Sequence, residues 1–378
     1  MNGGAAGRHA WRVACAVFLR DPVLWTLVAV FIILSAAVPA RILHYPQLID
    51  WNTVMALAGL LILARGIEIS GYLQRIARLL IARLHTQRML AGFLVAASAL
   101  LAMVLTNDIA LFVIVPLTVG LRRIASVPVA RLVVFEALAV NAGSLLTPIG
   151  NPQNLFLWRI ANVPFFVFMR DMLPLFFTVA VLLAILTVAV FPALRITLTP
   201  RVDEAPRCRS LLLISAGLFV PFIALVQLHA TALALVCVGV LFVIAERRVL
   251  RRVDWTLILV FGLMFIDLRL IADLGAVRTL MAHLPLGNPH ALFATGVVAS
   301  QFISNVPAAI LLAEYSQNWH LIAYGVNVGG FGFVAGSLAN IIALRIAGEA
   351  GMLRVFHRFS LPFLAATCVL TAVWLFWI

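Results

Sequence analysis

The sequence contains no lysine and few charged residues of any kind. Charged side chains make up 11% of its 378 residues, hydrophobic side chains make up 64%, and the mean hydropathy is +1.12. No soluble core requires so apolar a composition, and runs such as Val23 to Val38 approach the roughly 20 apolar residues that a helix needs to cross a bilayer. An all-α polytopic membrane protein is therefore predicted. Without lysine there is no G-x-x-x-x-G-K phosphate loop, so an ATP-driven pump would need a separate subunit.

Cysteine is also scarce. Cys15, Cys208, Cys237 and Cys368 have no C-x-x-C spacing, so they indicate neither a disulfide framework nor a thiolate metal site. The net charge of +13 comes from 27 basic residues that are all arginine. These lie in groups between apolar runs, which is typical of orientation signals in membrane proteins. We therefore expect no nucleic-acid partner, no cofactor and no metal centre.

A twenty-residue segment occurs twice. VNAGSLLTPIGNPQNLFLWR at 140–159 and VNVGGFGFVAGSLANIIALR at 326–345 align without a gap. Both copies are rich in glycine and polar residues although they lie in long apolar stretches, so each is predicted to be a membrane helix that unwinds partway. Paired interruptions of this kind mark the binding site of many secondary transporters. The identical pairs are Val140/Val326, Asn141/Asn327, Gly143/Gly329, Gly150/Gly336, Asn154/Asn340 and Arg159/Arg345.

The duplication extends beyond the broken helix. Each copy contains two helices, a hairpin with a polar tripeptide at its tip, the broken helix and a final helix. The tripeptides are Thr106-Asn107-Asp108 and Ser304-Asn305-Val306. The predicted segments are a cytoplasmic N-terminal segment at 1–21, repeat 1 at 22–192, a cytoplasmic linker with a connecting helix at 193–229, and repeat 2 at 230–378.

Four spans plus one connecting span is an odd number, so the second repeat is predicted to be inverted relative to the first. The fold expected is nine spans plus two re-entrant hairpins, because hairpin arms of about 15 residues are short for a span. With the N-terminus in the cytoplasm, 22 of the 27 arginines fall on the cytoplasmic side and the C-terminus lies outside. The arginines left outside are Arg41, Arg159, Arg170, Arg269 and Arg278.

The hairpin sequences carry a family resemblance. Asn107-Asp108-Ile109-Ala110-Leu111, followed by a proline at Pro116, resembles the N-D-x-A-L motif with its downstream proline in the arsenical-pump and citrate-permease-like branch of the ion transporter superfamily. Gly150-Asn151-Pro152-Gln153-Asn154 and Ser304-Asn305-Val306-Pro307 are similar to its other signatures. The resemblance covers nearly the whole chain and is closest to compact bacterial inner-membrane members. It implies a multi-pass anion transporter of the bacterial inner membrane.

The resemblance also implies roles for the hairpin tips. In related dicarboxylate/sodium symporters both tips read Ser-Asn-Thr; serine, asparagine and unwound-helix carbonyls bind sodium, and asparagine and threonine contact the substrate carboxylate. Here Asp108 and Val306 stand in place of the threonines. Two carboxylate-binding hydroxyls are thus missing, which argues against a dicarboxylate substrate. Na⁺ is expected at Asn107 and Asn305.

The residues themselves point to the same region. Asn151 before Pro152 is typical of an N-cap, Ser337 is expected to cap the matching half-helix, and Asn107 and Asn305 are expected to cap the returning hairpin arms. Four positive helix ends would then surround an anion or a polar neutral solute, with unwound carbonyls holding a cation nearby. The candidate substrate- and ion-binding residues are Thr106, Asn107, Asp108, Asn141, Gly143, Ser144, Thr147, Gly150, Asn151, Asn154, Ser304, Asn305, Asn327, Gly329, Gly336, Ser337 and Asn340.

Simpler interpretations stand beside these. The glycines could serve close helix packing alone, and the asparagines could be interhelical hydrogen-bonding groups. Asp108 could be a structural acid at a helix N-terminus, but an ionisable group inside a membrane favours a role in coupling. Glu136 is either near the site or close to the inner surface, and the sequence leaves both open.

The function predicted is secondary active transport of a small anion or oxyanion-like solute, coupled to H⁺ or Na⁺ through Asp108. The alternatives are an Na⁺/H⁺ antiporter and an arsenite efflux permease. A membrane enzyme would need convergent nucleophile, base or metal ligands, which the sequence lacks, and a scaffold would not need two matched helix breaks. The partners expected are the substrate and the lipid bilayer. A homodimer and a separate ATPase subunit are compatible with the sequence, but nothing in it indicates the ATPase.

Overall fold

A computed structural model describes residues 22–72, 75, 79, 83–122, 124–197, 208–228 and 230–377. The N-terminal segment predicted at 1–21 and part of the predicted linker lie outside the described residues. The described chain is helical, and its β-structure consists of isolated bridge residues, among them the pair Thr86 and Arg195. This agrees with the predicted all-α class.

The α-helices, numbered in chain order over the described residues, are α1 (Pro22–Ala37), α2 (Tyr45–Leu48), α3 (Trp51–Ile69), α4 (Gln87–Val104), α5 (Asn107–Leu121), α6 (Val129–Ser144), α7 (Pro152–Ala161), α8 (Phe165–Val190), α9 (Arg209–Gln227), α10 (Thr231–Ala245), α11 (Arg247–Arg251), α12 (Trp255–Asp273), α13 (Gly275–His283), α14 (Pro289–Ile303), α15 (Asn305–Ala313), α16 (Trp319–Gly329), α17 (Leu338–Ala347) and α18 (Met352–Trp377).

Several of these helices can cross a membrane. In the part of the chain that the structure describes, five are long and apolar enough, and a sixth span would result if the bent pair Leu24–Ala37 and Pro39–Leu48, which meet at 115°, counted as one. The chain is thus a polytopic membrane protein, and the count of nine spans stays a prediction. The five are Trp51–Ile69, Gln87–Val104, Phe165–Val190, Arg209–Val226 and Met352–Trp377.

The first hairpin differs from its predicted lengths. Its first arm, α4, has 18 residues rather than about 15, because the helix begins at Gln87 with Thr86 as its N-cap, whose Oγ1 accepts from the Met89 N–H at 3.2 Å. The returning arm, α5, has 15 residues. The final helices of the two copies, α8 and α18, begin at Phe165 and Met352.

The duplicated order of elements appears in the local structure. Both α3 and α12 begin at a tryptophan that follows an aspartate. Asp50 Oδ1 accepts from the Thr53 N–H at 3.2 Å, and Asp254 Oδ1 accepts from the Thr256 N–H at 3.1 Å. The same N-terminal chemistry therefore starts corresponding helices in the two copies.

The chain divides into two compact units, and each collects segments from both copies of the duplication. The first unit comprises 1–59 and 222–274. Within it, α1 packs against α12, and Leu34, Tyr45, Ile266 and Leu270 form a buried apolar cluster. Arg41 forms an ion pair with Asp273 in the same unit.

The second unit comprises 60–221 and 275–378 and contains both hairpins and both broken helices. Helix α6 is buried from Leu132 to its end at Ser144, and it packs against α4, α5, α8, α17 and α18. Phe135 on α6 makes edge-to-face contacts with Phe191 and Phe359. The candidate site lies in this unit.

Candidate functional site

Both predicted helix breaks are present at matched positions. Helix α6 ends at Ser144 and α7 begins at Pro152, while α16 ends at Gly329 and α17 begins at Leu338. The second half-helices α7 and α17 have ten residues each and end in left-handed residues at equivalent positions, Asn162 and Gly348. Sixteen of the seventeen candidate residues are buried, and Thr106 is half-buried.

The helix caps follow the sequence only in part. Asn151 is the N-cap of α7, and its Oδ1 accepts from the Asn154 N–H at 2.9 Å, as predicted. Ser337 occupies the N-cap position of α17, but its side chain makes no capping bond. It donates instead to Asn141 Oδ1 at 3.0 Å.

The prediction that asparagines cap the returning hairpin arms is wrong. Thr106 caps α5, since its Oγ1 accepts from the Ile109 N–H at 3.4 Å. Asn107 is the first helical residue. In the second hairpin the N-cap is Ser304, with a positive φ of 67°, and Asn305 is the first residue of α15. In each tip the hydroxyl residue, not the asparagine that follows it, occupies the N-cap position. The asparagine side chain is therefore not used for capping.

Two asparagine–asparagine hydrogen bonds join the two broken helices. Asn141 Nδ2 donates to Asn340 Oδ1 at 2.9 Å, and Asn327 Nδ2 donates to Asn154 Oδ1 at 2.8 Å. Asn141 and Asn327 are equivalent in the duplication, and so are Asn154 and Asn340. The same interaction is therefore made twice, each time between the first half-helix of one copy and the second half-helix of the other.

A second pair of bonds follows the same pattern. Ser337 Oγ donates to Asn141 Oδ1 at 3.0 Å, and Asn151 Nδ2 donates to Asn327 Oδ1 at 3.2 Å. Ser337 and Asn151 are the matched N-cap residues. The asparagines of the first half-helices thus each bond to two residues at the start of the opposite half-helix, and the centre of the unit is a buried network of amides and hydroxyls.

The second half-helices also satisfy the unwound backbone. Asn340 Nδ2 donates to the Gly330 carbonyl at 2.9 Å. Asn154 Nδ2 lies within 3.0 to 3.3 Å of three carbonyl oxygens in the first break, those of Ser144, Leu145 and Thr147.

The first hairpin tip is bonded to the first break. The Asn107 N–H donates to the Gly150 carbonyl at 2.9 Å, and Asn107 Nδ2 is 3.4 Å from Asn141 Oδ1. Thr147 Oγ1 donates to the Met103 carbonyl at 2.8 Å, which ties the break to the end of α4. The tip, the break and the crossing asparagines therefore form one connected set.

Two acidic side chains are buried near this set. Asp108 is 7% exposed, and its Oδ1 has no hydrogen-bond partner among the described residues. Glu136 on α6 is fully buried and accepts a hydrogen bond from Thr118 Oγ1 on α5, while its Oε2 has no partner in the described chain. Glu136 therefore lies buried between the hairpin arm α5 and the broken helix α6, beside a threonine near the C-terminal end of α5. Both positions left open for it by the sequence stay open.

The four candidate glycines all have a packing reason. A Cβ at Gly143 would lie 2.0 Å from the Ala99 carbonyl oxygen, and one at Gly329 would lie 2.5 Å from Ser300 Cβ. At Gly150 and Gly336 a Cβ would meet carbonyl oxygens of the same break at 2.2 and 2.8 Å. The close-packing interpretation of these glycines therefore accounts for them without a contact to substrate.

Two glutamines that were not predicted bond to the side chains or the backbone around the candidate residues. Gln153 Nε2 is 3.4 Å from Asn327 Oδ1. Gln301 Nε2 donates to the carbonyls of Gly329 at 2.6 Å and Val297 at 2.9 Å. The sequence could have pointed to both, because each glutamine is an uncharged amide within four residues of a candidate asparagine.

The fold and this network define a polytopic α-helical membrane protein whose two interrupted helices are joined by hydrogen bonds between polar side chains. Residues 15–320 match the family model described as citrate transporter. The chain belongs to the citrate transporter family and is a membrane transporter, as the hairpin motifs indicated.

The named relatives of the chain are also described as membrane proteins or transporters. The chain is 43% identical over 339 residues to inner membrane protein YbiR of Escherichia coli, covering 89% of this chain and 91% of that protein. It is 30% identical over 325 residues to uncharacterized transporter MJ0456 of Methanocaldococcus jannaschii, covering 84% and 86%. It is 26% identical over 365 residues to a 46 kDa membrane protein of Mycobacterium leprae, covering 86% and 85%.

Proposed function

We propose that this protein is a secondary active transporter that moves a small anion or oxyanion-like solute across the bacterial inner membrane, coupled to H⁺ or Na⁺. The observation that carries the proposal is the doubled exchange of hydrogen bonds, Asn141 to Asn340 and Asn327 to Asn154. A scaffold has no need for two interrupted helices held together by buried amides, whereas a transporter needs polar groups at that depth to replace water around its solute.

The chemistry of the network supports a polar or anionic solute. The half-helices α5, α7, α15 and α17 all begin within the same unit, and their N-terminal N–H groups favour negative charge. The bonded side chains of the network are amides and hydroxyls, which can donate to the oxygen atoms of an anion. Citrate itself belongs in the set of solutes to be tested because of the family description.

The topology belongs to the same proposal. Two inverted repeats, nine spans and two re-entrant hairpins would place the two breaks at one depth from opposite sides of the bilayer. The matched lengths and matched caps of α7 and α17 support this arrangement. Since the arginines lie mainly between apolar runs on one side, the N-terminus would be cytoplasmic and the C-terminus outside.

The test is transport by the purified protein in proteoliposomes. Arsenite, inorganic oxyanions, and di- and tricarboxylates including citrate are first screened for an increase in thermal stability, because a ligand that binds only the folded state stabilises it. A stabilising solute is then measured for uptake under an imposed pH or sodium gradient. We expect uphill accumulation of one solute class that collapses when the gradient is removed; uptake that never exceeds equilibration would contradict secondary active transport.

The coupling role assigned to Asp108 has its own test. Asp108→Asn keeps the shape of the side chain but can neither bind a proton nor carry a negative charge. If the coupling ion is H⁺, the variant should retain solute exchange and lose pH-driven accumulation. If it is Na⁺, the variant should need a higher sodium concentration for half-maximal transport. Full gradient-driven accumulation by the variant would leave Asp108 as a structural acid.

One observation favours a second candidate, an Na⁺/H⁺ antiporter. Asp108 is a buried carboxylate with an oxygen that no described residue satisfies, which suits an acid that exchanges two cations in turn. An antiporter would acidify or alkalinise sodium-loaded proteoliposomes in the absence of any other solute. The same vesicles would show no such pH change if the ion moves only together with an anion.

A further inference from the structure

The two hairpin–break pairs differ in the oxygen atoms they can offer. Each pair consists of one hairpin tip and the break that follows it in sequence. At three matched positions the first pair has an oxygen-bearing side chain and the second has none. The matched residues are Asp108 and Val306, Ser144 and Gly330, and Thr147 and Phe333.

In the second pair a glutamine fills the break. Gln301 Nε2 donates to the carbonyl of Gly329, the last helical residue of α16, at 2.6 Å, and its Oε1 accepts from the Phe333 N–H at 2.8 Å. A Cβ at Gly332 would lie 1.9 Å from this same oxygen, which shows how closely the unwound backbone surrounds the amide. His357 adds another bond, since its Nε2 accepts from the Val334 N–H at 3.2 Å.

In the first pair the matching position is Met103, whose side chain has no hydrogen-bond donor. The break is tied to it only through the backbone, by the bond from Thr147 Oγ1 to the Met103 carbonyl. No side chain from the hairpin is inserted into the first break among the bonds of the described residues, and Asp108 Oδ1, in a side chain only 7% exposed, is left without a partner. The first pair therefore holds an unsatisfied acceptor, whereas the second is satisfied by the protein itself.

We infer that only the first hairpin–break pair binds the coupling ion, one monovalent cation per chain, with Asp108 as its charged ligand and the hydroxyl and carbonyl oxygens of the first break as neutral ones. Gln301 takes the place of a cation in the second pair. This rests on the proposed function, because it assigns the coupling stoichiometry of that transporter. The cation is Na⁺ or a proton, since either can neutralise a buried carboxylate.

The helices packed around α5 carry other ionisable side chains. The helices packed against α5 are α4, α6 and α17, and their ionisable side chains within the described residues are Arg88, Arg131, Glu136 and Arg345. Arg88 donates to the Phe191 carbonyl and Glu136 accepts from Thr118, while Asp108 Oδ1 has no hydrogen-bond partner among the described residues. Asp108 is thus the acid of this pair that a mobile cation can neutralise.

The test counts bound cations on the purified full-length protein with ²²Na⁺, without any transported solute. We expect one Na⁺ per chain at saturation, half-saturation weakened about tenfold or more in Asp108→Asn, and a smaller loss of affinity in Ser144→Ala. The matched control is Gln301→Met, which installs the residue of the first copy. It should lower thermal stability but leave the count and affinity unchanged.

If the cation is a proton, no saturable ²²Na⁺ binding should appear. Potentiometric titration between about pH 5 and 9, above the range in which an ordinary aspartate titrates, should then show one proton fewer per chain in Asp108→Asn than in the parent protein and no change in Gln301→Met. Two cations per chain, loss of binding in Gln301→Met, or neither Na⁺ binding nor a one-proton difference would overturn the inference. Because the count needs no transport, failure of gradient-driven uptake would contradict the proposed function alone. Size-exclusion profiles establish that each variant is folded.

Discussion

Asn327 donates a hydrogen bond to Asn154 at 2.8 Å across 173 residues of sequence. The equivalent residues, Asn141 and Asn340, make the same bond at 2.9 Å. Both bonds are fully buried, where an amide without a partner is costly. The relationship means that neither broken helix can complete its polar network without the other copy, so the duplication is structural as well as sequential.

The first prediction concerns these asparagines. Asn154→Ala and Asn340→Ala should each abolish transport while leaving expression largely intact, because a lost buried hydrogen bond costs only about 1 to 3 kcal/mol but displaces the site. Transport assays and detergent thermal stability measure the two effects separately. The hairpin-tip variants Asn107→Ala and Asn305→Ala should behave in the same way.

The pairing itself can be tested by a double-mutant cycle. Once Asn327 has been replaced by alanine, Asn154→Ala should cost less stability than it does in the parent protein, because its partner is already gone. The control for general weakening is Asn327→Ala combined with Asn288→Ala, since Asn288 is the N-cap of α14 and bonds to the His290 N–H outside this network. Additive losses for Asn327 and Asn154 would argue against a direct bond.

The next prediction concerns close packing at Gly143. Gly143→Ala should lower thermal stability by roughly 1 to 3 kcal/mol, because its Cβ would lie 2.0 Å from the Ala99 carbonyl oxygen. Gly92→Ala on α4 is the control, since no heavy atom lies within 4 Å of a Cβ there. Alanine is the better helix former by about 1 kcal/mol, so that variant should be at least as stable as the parent. Equal stability of the two variants would rule out the close approach.

The buried pair of Thr118 and Glu136 gives another prediction. Thr118→Val removes the donor to Glu136 Oε1 and leaves a buried carboxylate with no partner on either oxygen, which should cost about 1 to 3 kcal/mol. Glu136→Gln retains an acceptor for the threonine hydroxyl and should lose less. Thermal unfolding in detergent compares them; a larger loss in Glu136→Gln would show that the carboxylate has a partner other than Thr118.

The last prediction concerns topology. A reporter enzyme that is active only outside the cytoplasm should be active when fused after Ile378 and silent when fused near Arg207, because the arginine distribution and the odd number of spans put these points on opposite sides. Immunoblotting of both fusions controls for expression. The reverse pattern of activity would exclude the inverted arrangement of the repeats.

The sequence by itself determined the helical membrane class, the two breaks and the N-cap at Asn151. Composition decided the class because no water-soluble chain is so poor in charge, and the aligned copies decided the breaks because glycine and polar residues at matched positions interrupt an apolar run. The cap at Asn151 followed from local chemistry, since an asparagine before a proline satisfies the first turn of a helix without help from distant residues.

Only the tertiary structure decided which groups meet. The sequence could not show that Ser337 would leave its cap to bond Asn141, or that Gln301 would fill one break and not the other, because these bonds join residues far apart along the chain. The cap of the first tip was misassigned for a related reason, because threonine and asparagine are both good N-caps and the sequence does not choose between them. In the structure Thr106 is the N-cap, so α5 starts at Asn107 rather than at the next residue. The Asn107 N–H donates to the Gly150 carbonyl, a contact that the local sequence could not reveal. Burial of Glu136 was likewise a matter of which helices surround α6, and a periodic apolar pattern cannot specify the neighbours of a helix that is buried on every side.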